Sequence, residues 1–310
     1  MDLWDKYEKI DDHLSKNLLT IPPYPRVSGE KVQELLSCLE EPDLGSGGLD
    51  GEVLRMVRHP WQRAYQIEYR FKPSIIFNDF MKVIESSTYD LMVGNYICSY
   101  MSLVPVVEAI LRKWSIEKSR EIKSHNTKKR FSIHTFSKNL VKYLHEENNS
   151  RTSNVKYQKW IRNQIEYFDF IIREVFYQRF ESSEEGVEKE FNRNRTLHLL
   201  DNIHSPKALR DDNTRIFLLL DIIAELYLSL DEELYSNNTF YANPETNIDF
   251  NLRWKIYLKN TIESINFTDM RIIDIAFSQK DIDMSDEQKQ QFINQKDDQL
   301  HFLKSIHRKV

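Results

Sequence analysis

Apolar side chains recur at three- and four-residue steps through most of this chain. In the stretch that opens at Tyr89, Val93, Tyr96, Ile97, Tyr100, Met101, Val104, Val107, Ile110, Leu111 and Trp114 fall on one face of a helix with 3.6 residues per turn. Only seven glycines and nine prolines interrupt 310 residues, so few tight turns are available and long helices are favoured. With hydrophobic residues at 40% and charged residues at 29%, the chain is globular and long enough to bury a sizeable core. The fold class that follows is all-α.

The periodicity predicts helices over about 88–118, kinked at Pro105, over about 132–147, over about 154–182, and over about 213–231 behind an N-cap at Asp211-Asp212-Asn213. Further helical stretches fall near 250–264 and 285–307, and no segment repeats another. The first eighty residues are harder to read. Glu30 to Leu39 has helical spacing, Pro22, Pro23 and Pro25 break the stretch before it, and Gly45, Gly47, Gly48 and Gly51 point to one loop. Tyr65, Ile67, Tyr69 and Phe71 alternate with polar residues, so a minor β element over 64–71 is an expectation, with a helix left open. The resulting division is an N-terminal extension of undefined fold over 1–87, a helical bundle over 88–232 and a C-terminal helical extension over 233–310.

Several classes of protein fit poorly. Cys38 and Cys98 belong to no C-x-x-C pattern, which points away from a zinc site or disulfide framework and toward a reducing cytoplasm. The opening MDLWDKYEKI lacks the features of a signal peptide, and no apolar run is long enough to span a bilayer, so no membrane association is expected. No histidine pair has metal-ligand spacing, and no phosphate-binding glycine loop or nucleophile elbow occurs, so neither metal nor cofactor is expected. The net charge of −5 argues against a surface coated with nucleic acid. The block from Arg112 to Arg130 nevertheless carries eight basic residues against two acidic ones, either a phosphate footprint or a solvated linker.

The chemistry concentrates in Arg193-Asn194-Arg195-Thr196-Leu197-His198, which follows the acidic segment Glu181 to Glu190 and precedes the helix near 213. Arginine keeps its charge at any working pH and grips phosphate with two N–H groups, while histidine titrates near neutrality. Together the two side chains can hold a phosphodiester and move protons around it. The same spacing occurs at Arg120 and His125, but there Glu121 directly follows the arginine and the surroundings read as a loop. Salt bridges from Arg193 to Glu188 or Glu190, and a capping role for His198, are the structural alternatives.

An arginine, an adjacent polar residue, an intervening stretch and a histidine before a late helix resemble the HEPN superfamily of helical ribonucleases, over roughly 88–232. Arg193, Asn194 and His198 match that motif residue by residue, and the lead-in Phe191-Asn192 and the leucine before the histidine resemble one subtype of it. Many members of that subtype place glycine after the histidine, where this chain has Leu199-Leu200. The resemblance implies a metal-independent endoribonuclease in which a ribose 2′-hydroxyl attacks phosphorus and leaves a 2′,3′-cyclic phosphate. Arg193 would hold the non-bridging oxygens, His198 would transfer the proton, and Asn194 would orient the phosphate or the imidazole. One such pair does not readily supply both an acid and a base, and the resemblance implies a homodimer with a composite site.

Arg195 is a candidate for binding the RNA backbone, or else a solvated arginine. Glu108, set in the apolar run Val106-Val107-Glu108-Ala109-Ile110, either pairs with Arg193 structurally, tunes the site, or pairs with Arg112 one turn on. Relatives of this kind are toxins or antiviral defence effectors, which adds an antitoxin or regulatory protein as a partner. Two other functions fit the same residues: a non-catalytic helical binding or scaffold protein, and a HEPN-fold partner of a nucleotidyltransferase antitoxin.

Overall fold

The computed structural model describes residues 3–23, 29–40, 48–118, 133–151, 155–176, 206–229 and 244–278. Ten α-helices and no strand occur among the described residues, so the chain is all-α. They are α1 (Leu3–Ser15), α2 (Gly29–Glu40), α3 (Gly48–Arg58), α4 (Pro60–Gln66), α5 (Met81–Met92), α6 (Tyr96–Glu117), α7 (Ile133–Arg151), α8 (Val155–Phe170), α9 (Pro206–Ser229) and α10 (Pro244–Ser278). The wider π-helical turns Ile67–Phe71 and Ile171–Phe176 extend α4 and α8.

Helix α9 is the axis of the molecule. Ile216 to Leu220, Ile222 to Ala224 and Leu226 to Leu228 are all buried, so this stretch of the helix is enclosed on nearly every side. It packs on α3, α6, α8 and the π-helical turn after α4. The apolar core runs as one cluster from Ile10 to Leu258, drawing on all three stretches delimited by sequence.

The proposed strand over 64–71 is instead the end of α4 and its π-helical turn. Trp61, Tyr65 and Tyr69 stand four residues apart and stack, with centroids 5.3 and 5.0 Å apart, and Phe250 of α10 seats its ring against all three. A period of two and a period of four coincide in such a pattern. The polar residues between them imitate the solvent face of a strand, yet Glu68 is buried and held by Arg253 Nε at 2.5 Å, and Arg70 lies 3.5 Å from Glu225.

The single helix expected over 88–118 is two helices, α5 and α6, packed side by side. Gly94, at φ +80°, separates them. The Asn95 N–H donates to the Asp90 carbonyl at 2.8 Å and the Gly94 N–H to the Leu91 carbonyl at 3.3 Å, which is the Schellman pattern of helix termination. Apolar spacing continues on both sides of the glycine and conceals the break. Pro105 lies within α6 as expected.

Helix α9 begins at Pro206, a residue suited to the first position because its missing N–H has no helical acceptor there. Asp211-Asp212-Asn213 therefore lies inside the helix rather than capping it. Asn213 is fully buried, with Oδ1 3.1 Å from the Ser99 hydroxyl. Gly48 and Gly51 belong to α3 rather than to a loop, with Gly48 at φ +59° at its entrance. The helices expected near 132–147 and 250–264 fall within α7 and α10, and the stretch 285–307 lies outside the described residues.

Candidate functional site

Arg193, Asn194, Arg195 and His198 lie outside the described residues, as do 119–130 of the basic block. Of the candidate site residues read from sequence, Glu108 is the one the structure describes. It is partly buried on α6, and its Oε1 accepts from Arg112 Nη2 at 3.2 Å, the local partner one turn away.

Glu108 lines an open surface groove of about 510 Å³ together with Asp79, Phe80, Pro105, Arg112 and Lys113. Lys113 Nζ donates to Asp79 Oδ2 at 2.6 Å. Each cation in the groove therefore faces its own carboxylate. The net field for an anion is small, and exposed pairs of this kind contribute little energy.

A different arrangement surrounds the first turns of α9. Asp211 Oδ1 accepts from Arg58 Nη1 at 3.4 Å and from Arg210 Nε at 3.3 Å, so two guanidinium groups converge on one carboxylate oxygen. Arg58 is 24% exposed and Arg210 32% exposed. The neighbouring Asp212 is buried and taken by Arg215 Nη1 at 2.6 Å, and Arg215 also acts on Asp50. Burial first, and Arg210 second, push the Arg58 guanidinium down to about 10 despite the opposing pull of Asp211 and Tyr96.

The local folding explains this convergence. Arg58 is the last residue of α3, where a cation complements the negative end of the helix dipole, and α3 packs on α9. His59 then caps α4: its Nδ1 accepts from the Trp61 N–H at 3.3 Å, and burial, reinforced by Arg55, lowers its pKa. Sequence reading missed Arg58 and Arg210. Arg58 and Asp211 are 153 residues apart, and the acidic pair after Arg210 reads locally as a helix cap.

Among the described residues no group of three or more His, Cys, Asp or Glu is placed to hold a metal ion, and no helix is long and apolar enough to cross a membrane. No protein-family model, curated protein or solved structure matches the chain. Fold and geometry define the class as an all-α protein built around one buried helix, with a pair of arginines converging at the start of that helix.

Proposed function

We propose that the chain is a metal-independent endoribonuclease of the HEPN type, acting as a toxin or antiviral defence effector in the cytoplasm. The observation that carries this reading is the position of Arg193-Asn194-Arg195-Thr196-Leu197-His198 in an all-α chain, between α8 and the buried helix α9. Pro206 follows His198 by eight positions, so the backbone of His198 is tethered within about 28 Å of the start of that helix.

The 2′-hydroxyl of the substrate attacks the adjacent phosphorus as His198 takes or returns the proton, a contribution of about 10² to 10⁴ in rate. Arg193 holds the non-bridging oxygens and stabilises the charge that grows on them. Asn194 orients the phosphate or the imidazole, Arg195 binds the RNA backbone, and a 2′,3′-cyclic phosphate is left. A homodimer places a second motif opposite the first, supplying the acid when one histidine serves as the base. An antitoxin or regulatory protein restrains the activity.

The test is cleavage of a mixed RNA pool by the purified chain in excess EDTA, with His198→Ala and Arg193→Ala alongside. Cutting that survives chelation, yields cyclic phosphate ends and disappears in both variants is expected. Equal cutting by wild type and variants overturns the assignment.

A further inference from the structure

We infer that Arg58 and Arg210 form a phosphate subsite for the backbone of single-stranded RNA, with Asp211 as the internal group that occupies it until RNA arrives. This rests on the ribonuclease reading for its ligand, and it extends that reading to residues outside the hexapeptide. Two fixed cations face one carboxylate oxygen at 3.4 and 3.3 Å. Charge-assisted N–H···O bonds are ordinarily about 2.7–2.9 Å, so neither arginine has a strong partner here. Partly buried guanidinium groups gain from close anionic contact, and a phosphodiester supplies two non-bridging oxygens and a full negative charge, which matches the fork geometry of two arginines.

The surroundings favour the same ligand. Arg210 lies four residues inside α9, and the hexapeptide ends eight residues before that helix. The extended tether sets an upper bound of about 28 Å between His198 and the start of α9, a distance that one short single-stranded RNA can span. The groove at Glu108 has no comparable excess, because Arg112 and Lys113 each have a carboxylate of their own.

The experiment is fluorescence-anisotropy titration of the full chain with a labelled twelve-nucleotide RNA carrying 2′-O-methyl groups throughout, which binds but cannot be cut. Arg58→Gln, Arg210→Gln and Asp211→Asn are compared with wild type and with Arg162→Gln, an exposed arginine on α8. Either glutamine variant at the subsite is expected to weaken binding about tenfold, and to lower the slope of log affinity against log salt by about 0.7, the value for one lost phosphate contact on a single strand. Asp211→Asn is expected to tighten binding several-fold, a gain that a misfolded variant cannot produce. Arg162→Gln is expected to leave the affinity within twofold.

A fixed affinity across Arg58→Gln, Arg210→Gln and Asp211→Asn overturns the subsite, even where His198-dependent cutting persists and the ribonuclease reading stands. Loss of cutting activity in wild type together with arginine-dependent RNA binding has the opposite meaning: the subsite stands and the enzyme assignment fails. If wild type does not bind the RNA at all but pyrophosphate raises its melting temperature in an Arg210-dependent way, the site serves a free phosphate compound and the RNA assignment is overturned.

Discussion

Arg63 of α4 and Asp221 of α9, 158 residues apart in the chain, form a salt bridge inside the apolar core, with Arg63 1% exposed and Asp221 fully enclosed. Arg63 Nη1 donates to Asp221 Oδ1 at 3.0 Å, a second bond joins Nη2 to Oδ2, and the guanidinium carbon lies 5.1 Å from the centre of the Phe217 ring. This pair fixes α4, and with it Arg58 at the end of α3, against the central helix.

Breaking the pair from one side leaves a charge with no solvent to receive it. Asp221→Ala is therefore expected to cost about 3–5 kcal/mol in urea unfolding. Replacing both residues, as Arg63→Met with Asp221→Leu, should recover most of that loss, because apolar side chains of similar volume need no desolvation. A double variant no more stable than the single one would show that the pair's geometry, rather than its buried charge, is what the core requires.

Gly94 tests the break between α5 and α6. Its φ of +80° disfavours any residue with a side chain, and an added Cβ would lie 3.2 Å from Ser264 Oγ on α10. Gly94→Ala should destabilise the chain by about 1–2 kcal/mol, with the conformational cost persisting when Ser264→Gly removes the contact. Thermal unfolding of the two variants reads both contributions. Alanine without effect at position 94 would mean that the turn adopts another conformation in solution.

These positions also show what is and is not legible in such a sequence. The apolar steps along α6 and α9 were readable because a helix face repeats within a few residues. The end of α5 was not, since Leu91 and Met92 before Gly94 and Tyr96 after it keep the same apolar rhythm while the backbone turns. Tyr65 and Tyr69 fit a strand and a helix equally until Trp61 and Phe250 complete the ring stack. The hexapeptide stands out in sequence because its residues are adjacent, and its role is a matter for the cleavage test. The arginine pair on Asp211 does not stand out, because Arg58 reaches it only through the packing of α3 on α9.

His59 provides a pH signature close to that arginine pair. Its Nδ1 accepts from the Trp61 N–H and so must be unprotonated to cap α4, and burial holds the folded-state pKa below the usual value. The folded chain therefore binds fewer protons at His59 than the unfolded chain does. The stability this provides is present above the unfolded pKa of about 6.5 and is lost as pH falls through the lower folded value. His59→Asn keeps an N-capping side chain but removes the titration. The melting temperature of wild type relative to this variant should fall as pH drops below about 6.5, whereas a constant difference would show that His59 is not the titrating cap.

Asp11 carries the opposite sign. Its carboxylate accepts from the Thr20 hydroxyl at 2.8 Å, the Ile21 N–H at 3.0 Å and Asn163 Nδ2 at 3.4 Å, tying the segment after α1 to α8. Burial raises its pKa and outweighs those three hydrogen bonds, with Asp12 adding to the rise. The folded chain then holds this proton more tightly than the unfolded chain, so the favourable contribution is complete below the unfolded value of about 3.9 and declines as pH rises through the folded one. In Asp11→Asn the position no longer titrates. Melting curves of both proteins from pH 4 upward should show the variant gaining on wild type as pH rises, then a constant offset once Asp11 has ionised. Wild type gaining on the variant over that range would place the folded pKa below the unfolded one and reverse the balance between burial and hydrogen bonding at this residue.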